Sequence, residues 1–308
     1  MMTPVDLKGA RILVTGATGQ VAVPTIQTLA RDSEVIALAR FSDENARKAL
    51  EAQGVQCVTA DLAKPNGFPG LPQDVDYVVN FAVTKTGDFD YDLAANAEGV
   101  GFLMQHCRNA KAFLHFSSTA VYEYAGQAPR AENAPLGDNH RMMFPTYSIC
   151  KIAAETVARF SAKAFGIPTT IARLSVPYGD NGGWPYYHLL MMKEGIPIDV
   201  HPERPNQYNL LHSDDYTAKI PYLLAAASTE ATVVNFGGSE ATSIEDWCAY
   251  LTELTGYEPI FNENPQAFGS LHIDTTRMHE LIGPTEVNWR DGVLRMVKAL
   301  APDMLRQA

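Results

Sequence analysis

Two clusters of residues in this sequence have the types and spacing to do chemistry. Tyr147-Ser148-Ile149-Cys150-Lys151 sets a phenol and an ammonium four residues apart, and on a helix such a pair shares one face. A tyrosine has an ordinary pKa near 10, so about one in a thousand is ionised at neutral pH. A neighbouring cation can lower that value by one to three units, which brings the phenol into range for proton transfer. Lys151 supplies such a cation and could also bind a ribose hydroxyl. Tyr-x-x-x-Lys is common by chance, and an amphipathic helix can carry both residues for no chemical reason. Its position after the hydroxyl-rich strand end Phe116-Ser117-Ser118-Thr119-Ala120-Val121-Tyr122 gives it force, because a hydroxyl there can meet a substrate oxygen.

The second cluster is Thr15-Gly16-Ala17-Thr18-Gly19-Gln20-Val21-Ala22, which follows an apolar strand and opens a helix. Gly16 permits a tight turn. Gly19 lets the backbone approach a pyrophosphate, whose charge the helix amino terminus meets, and Ala22 takes the third small position. Thr18, Gln20 and Val21 lie in the same turn and are expected at the cofactor. At the end of the second strand a carboxylate would bind the adenosine ribose and repel a 2′-phosphate. The chain has Ala39-Arg40 instead, which favours NADP over NAD unless Arg40 is an ordinary surface charge.

These clusters need a scaffold that brings loop ends to one edge. Strand-like runs at Arg11–Thr15, Glu34–Ala39, Val55–Thr59, Asp76–Phe81, Ala112–Ser117 and Pro168–Leu174 are apolar without alternation, as in a parallel sheet covered on both faces. Helix-length stretches alternate with them, from Gly19 to Arg31, Ser42 to Gln53, near Tyr91–Asn109 and near Tyr147–Phe165. The expected fold class is α/β, a Rossmann-type doubly wound parallel sheet. Residues 1–177 form the dinucleotide-binding domain, and a strand near 231–236 returns to its sheet. Residues 178–308 form mainly a smaller, interleaved substrate lobe over the carboxyl edge. There a helix is expected near Ser213, after the pair Asp214-Asp215. Ser243-Ile244-Glu245-Asp246 reads as a capping box for a helix that Gly256 closes.

The chain has 308 residues and a net charge of −11, with a pI near 5.2. That surface repels polyphosphates, and no basic patch offsets it, so no nucleic-acid partner is expected. No apolar run approaches the roughly 20 residues of a membrane span, so no membrane partner is expected. The amino-terminal residues lack the basic start and apolar run of a signal peptide, and the expectation is a cytoplasmic protein. Cys57, Cys107, Cys150 and Cys248 are scattered and read as reduced thiols. No metal-site spacing occurs, and His188 and His212 read as structural hydrogen-bonders.

Taken together, the chain resembles the extended short-chain dehydrogenases/reductases, the NAD-dependent epimerase/dehydratase-like family that includes nucleotide-sugar epimerases, dehydratases and dihydroflavonol-type reductases. The resemblance runs nearly end to end. Besides the two clusters it includes Asp61-Leu62, Asn80-Phe81-Ala82, Asn96, Arg173-Leu174-Ser175-Val176-Pro177-Tyr178-Gly179, His212-Ser213-Asp214-Asp215 and Asn235-Phe236-Gly237-Gly238. It implies that Ser118 is the catalytic hydroxyl beside Tyr147 and Lys151, with Thr119 a weaker candidate. It further implies that Asp61 and Leu62 contact the adenine, Ala82 lines the cleft and Pro177 lies beside the nicotinamide. It also implies a homodimer that pairs the two long helices, with Ala153, Ala154, Val157, Ala158 and Phe160 as apolar surface.

The departures from the family's patterns narrow the reaction. Thr119 and Ala120 stand where dehydratases carry an acidic pair, and neither can act as a general acid. Val176 and Tyr208 stand where nucleotide-sugar enzymes place the Asn and Arg that hold a diphosphate, although Arg204 could reach in. Trp184, Tyr186, Tyr187, Met191, Met192 and Tyr208 offer an aromatic, apolar lining, with the two methionines better suited to core packing. Trp184 and Tyr208, with Ser118 and Thr119, are the expected substrate contacts. The expectation is an NADP-dependent oxidoreductase acting on a ketone or secondary alcohol of a small, partly apolar substrate. The alternatives are a nucleotide-sugar epimerase and a non-catalytic NADP-sensing protein.

Overall fold

The computed structural model describes residues 1–64 and 68–306. Seven strands build the main sheet: β1 (Arg11–Thr15), β2 (Glu34–Ala39), β3 (Gln56–Thr59), β4 (Tyr77–Asn80), β5 (Ala112–Ser118), β6 (Thr169–Leu174) and β7 (Thr232–Phe236). Their order is β7-β6-β5-β4-β1-β2-β3, and every pairing is parallel. The strands are apolar on both faces because both are covered. Ile12 and Val14 enter one buried cluster with Ile26, Leu114 and Phe236, while Leu13 between them enters the other with Val78, Leu103 and Ala158. The order reverses between β1 and β4, which opens a crevice at their carboxyl ends.

Four helices among the described residues lie between the sheet's first six strands in chain order. They are α1 (Ala22–Leu29), α2 (Glu44–Glu51), α3, and α4 (Tyr147–Phe165). The third runs from Phe89–Leu93 through a π-helical turn, Ala94–Glu98, into Gly99–His106. The cause of the π turn is local: Asn96 Nδ2 donates to the Asp92 carbonyl at 2.7 Å, the acceptor that a regular ladder would give to the Asn96 backbone N–H. Of the residues expected to pair α4 with a second copy, Ala154 and Ala158 are instead buried inside the chain, against the sheet. Phe160 is 68% exposed.

The smaller lobe has its own core, in which Tyr122, Tyr178, Trp247, Leu251 and Val293 pack together. Ser243 accepts from the Asp246 N–H and Asp246 from the Ser243 N–H, so the expected capping box opens Ile244–Thr255, and Gly256 closes it at φ 84°. The helix Ser213–Ala218 contains Asp214 and Asp215 in its first turn rather than following them, because His212 takes the capping position. β7 returns from this half of the chain to the sheet edge beside β6.

Candidate active site

Gly16 follows β1 at φ 64°, and a Cβ there would stand 2.9 Å from both Cα and N of Ala82. The crevice therefore closes on a bare backbone that no other residue could supply. Gly19 N donates to Gly16 O at 2.8 Å, and no side chain caps the start of α1 at Val21, which leaves its first N–H groups for a ligand. Gly16, Thr18, Gly19, Arg40, Asp61, Leu62 and Ala82, all expected at the nucleotide, line one cleft of about 190 Å³. Gln20 and Pro177 line the larger cavity next to it. Val21 lines neither and packs against the core instead. This glycine cradle, open helix end and cleft fit a dinucleotide. Tyr91 joins the site unannounced: Arg40 Nη1 donates to its hydroxyl at 3.1 Å, and that hydroxyl lies 3.3 Å from both Asp61 oxygens.

Ser118 ends β5 and caps the short turn Thr119–Val121, with its Oγ accepting from Ala120 N at 3.1 Å. Tyr147 opens α4, and Lys151 follows one turn later with Nζ 6.0 Å from the centre of the phenol ring. Lys151 Nζ donates to the Phe116 carbonyl at 2.8 Å, which fixes it under β5. Burial pushes the Tyr147 phenol above its ordinary value, and Ser118 pulls it back by hydrogen bonding. The lowering expected from Lys151 is not found: the only group that lowers the phenol is Ser118, and desolvation outweighs it. The same desolvation takes Lys151 down to about 8, against the pull of Glu155 and Cys150.

A buried network stands behind this pair. Glu155, one turn beyond Lys151, accepts from Ser117 Oγ at 2.6 Å and from Arg173 Nε and Nη2 at 2.9 and 2.7 Å. Ahead of Tyr147, Thr146 Oγ1 donates to Asp92 at 2.7 Å. Asp92 also accepts from the backbone of Thr86 and Gly87, so one carboxylate ties the loop after β4 to the start of α4. Burial opposes its charge, yet donors from Thr146, Thr86 and Thr84 hold its carboxyl below the usual range. Neither Asp92 nor Glu155 stands out in the sequence.

Ser118, Thr119, Tyr147, Trp184 and Tyr208 all line a cavity of about 760 Å³ at the sheet's carboxyl edge. Trp184 meets Tyr208 edge-on at 4.9 Å. Tyr187 and Met191 also line it, whereas Tyr186 and Met192 do not; Met192 is packed in the lobe's core. Sequence reasoning missed Lys85, His140, Phe144 and Phe268, which come from irregular segments. His140 stacks on Phe268 at 4.1 Å, and burial takes its imidazole down to about 4. Tyr208 spends its hydroxyl on the carbonyls of Phe268 and Gly269. Arg204 does not line the cavity, because it pairs with Glu245 and Glu263. His188 accepts from Trp247 Nε1 at 2.9 Å and His212 accepts from Asp214 N at 3.1 Å, as structural residues do. Among the described residues, no His, Cys, Asp and Glu side chains group as metal ligands would, and no helix is long and apolar enough to cross a membrane.

The family model for the NAD dependent epimerase/dehydratase family matches residues 12–237, from β1 to the end of β7. The chain belongs to this family. Its members' extended short-chain dehydrogenase/reductase architecture is the one described above, and the chain is an NAD(P)-dependent oxidoreductase-type enzyme. A dTDP-glucose 4,6-dehydratase of Mycobacterium tuberculosis (strain ATCC 25618 / H37Rv) is 25% identical over 236 residues, which are 70% of this chain and 68% of that protein. The 2'-dehydrokanamycin reductase of Streptomyces kanamyceticus is 25% identical over 239 residues, 73% of this chain and 61% of that protein. Among solved structures, UDP-glucuronic acid 4-epimerase from Bacillus cereus, in complex with UDP-glucuronic acid and NAD, shares the fold with a TM-score of 0.77. It is 22% identical, and 94% of this chain and 98% of that one align. DesIV, a dTDP-glucose 4,6-dehydratase from Streptomyces venezuelae, shares it with a TM-score of 0.79, at 20% identity over 95% and 97% of the two chains.

Proposed function

We propose that the protein is an NADP-dependent oxidoreductase that moves a hydride between the nicotinamide and a ketone or secondary alcohol on a small, partly apolar substrate. The observation that carries this reading is the lining of the 760 Å³ cavity: aromatic walls over Ser118 and Tyr147, with Lys85 its one lysine or arginine among the described residues. A buried diphosphate needs several donors or cations. Arg204 is engaged elsewhere, and Asp199 in the same lining adds a negative charge held by Asn262 and Asn264. The relatives' names favour a nucleotide-sugar epimerase as the second reading, but that reading must find its diphosphate grip here.

Gly16 and Gly19 would admit the pyrophosphate, Asp61 and Leu62 the adenine, and Pro177 the nicotinamide. Arg40 would pair with a 2′-phosphate, where an acid would repel it. When bound, the dinucleotide supplies the hydride in one direction and accepts it in the other. Tyr147 gives its proton to the oxygen that becomes the alcohol, and takes it back in oxidation. Ser118 donates a hydrogen bond to that oxygen as its charge develops. Lys151 holds a positive charge beside the phenol, which stabilises the phenolate left behind. Catalysis at an intact Ser118, Tyr147 and Lys151 is also what separates this reading from a cofactor-sensing protein. The test is NADPH and NADH consumption over a panel of ketones, beside epimerisation of nucleotide sugars. Turnover of a nucleotide sugar with no carbonyl reduction would replace this reading by the epimerase.

A further inference from the structure

Lys85, His140 and Phe144 line the substrate cavity and take no part in the proton transfer just described. Lys85 Nζ lies 4.3 Å from the centre of the Phe144 ring, and Phe144 packs edge-on against Tyr147 with ring centres 6.2 Å apart. The ammonium therefore stands one ring away from the phenol. Lys111 and Lys163 pair with Asp76 and Glu230, but Lys85 has no carboxylate partner among the described residues. His140 has a buried Nδ1 without a hydrogen-bond partner, and its ring is held by stacking on Phe268. Lys85 is close enough to depress the imidazole's protonation further, so the ring is neutral at working pH and adds a hydrogen-bonding group rather than a second charge.

Lys85 lines the cavity that holds Ser118 and Tyr147, while the neighbouring cleft takes Val83 and Thr84 from the same loop. The ammonium is thus on the substrate side of the site. We propose that Lys85 and His140 form an anion subsite, and that the substrate is a ketone or secondary alcohol carrying a carboxylate a few atoms from the reacting carbon. The inference rests on the oxidoreductase reading above and names its substrate class. In a chain of net charge −11, an anion needs a local cation to enter a partly apolar cavity. Lys85 is exposed, and cation–π attraction to Phe144 biases its ammonium toward that ring. His140 offers a neutral partner to the carboxylate's second oxygen.

Matched pairs test this: 3-benzoylpropionate and levulinate against their methyl esters, by NADPH consumption and by calorimetric titration of the NADP complex. The wild type is expected to favour the acids by roughly tenfold, the scale of one charge-assisted contact. Lys85→Met should erase that preference while NADP affinity stays within about twofold, and Lys85→Arg should retain it. His140→Phe keeps the stack on Phe268 and should lose part of the preference. Esters bound as well as acids by the wild type would overturn the proposal. So would a Lys85→Met variant whose NADP affinity falls while its acid preference persists, since Lys85 would then serve the cofactor phosphates. Failure of the oxidoreductase reading shows separately, as no carbonyl reduced, and the titration still reads the subsite.

Discussion

Replacing Lys151 by methionine should make the cofactor-free protein more stable while removing its activity. The lysine is 5% exposed, and burial takes it from 10.5 to about 8. At 1.36 kcal/mol per pH unit, that gap means a charged Lys151 costs the folded state about 3 kcal/mol near neutral pH. Methionine keeps the stem's packing and removes the charge, but gives up the bond to the Phe116 carbonyl, worth about 1 kcal/mol. The net expectation is a gain of about 2 kcal/mol. Its pH dependence has a definite sign. Between about 8 and 10.5 the unfolded chain still holds the proton that the folded chain has lost, so wild-type stability rises with pH across that window. The variant's lead should therefore shrink and vanish as the pH passes 10. Urea unfolding of both proteins without cofactor, near neutral pH and at about pH 10, measures it. A variant less stable than wild type near neutral pH, or a lead that does not change with pH, would refute the assignment of a buried charge to Lys151.

Three further outcomes bear on the site. Tyr147→Phe should lower turnover by about 10²–10⁴-fold while calorimetry finds NADP binding intact; near-normal turnover by a folded variant would remove Tyr147 from the mechanism. Arg40→Ala should weaken NADP by roughly tenfold and leave NAD unchanged in parallel titrations, and equal wild-type affinities for the two would end the preference. Arg173→Met removes the two-pronged partner of the buried Glu155 carboxylate and leaves it Arg159 at 3.7 Å, so chemical unfolding should show a loss of about 3–5 kcal/mol; a loss below one would mean that Arg159 or a proton makes good the missing charge.

Much of the sheet was legible because a parallel strand buried on both faces leaves an unbroken apolar run, as at Arg11–Thr15 and Ala112–Ser118. The glycine turn and the Tyr147–Lys151 pair were legible because each lies within one turn of a single element. What lay hidden is contributed by chain that has no period to read. Lys85 and His140 come from loops, and Phe268 from a segment between the strand Phe261–Glu263 and the helix Thr276–Ile282. Nothing local marks them as neighbours of Tyr147. Apolar character alone also misleads about direction: Ala154 and Ala158 suit a surface stripe as well as a core, and only the packing of α4 on the sheet decides. Asp92 and Glu155 read as ordinary helix carboxylates until their buried donors are seen.

The π turn at Ala94–Glu98 gives α3 one residue that a regular ladder would not need, and Asn96 puts it to use. A π turn holds one residue more than an α turn for nearly the same rotation, so the faces on either side of it keep their direction. Deleting Asn96 would let the ladder close regularly and leave Asp92 within reach of Thr146, Thr86 and Gly87. Thr84, however, would lose the amide that binds both its N–H and its carbonyl. An extra residue in a regular α turn would rotate every face beyond it, whereas the π turn confines the insertion to one bulge. The bulge thus works as a side branch of α3 that grips a loop without turning the helix. A chain without it would keep Ser118, Tyr147 and Lys151 in place and lose the clamp beside Lys85.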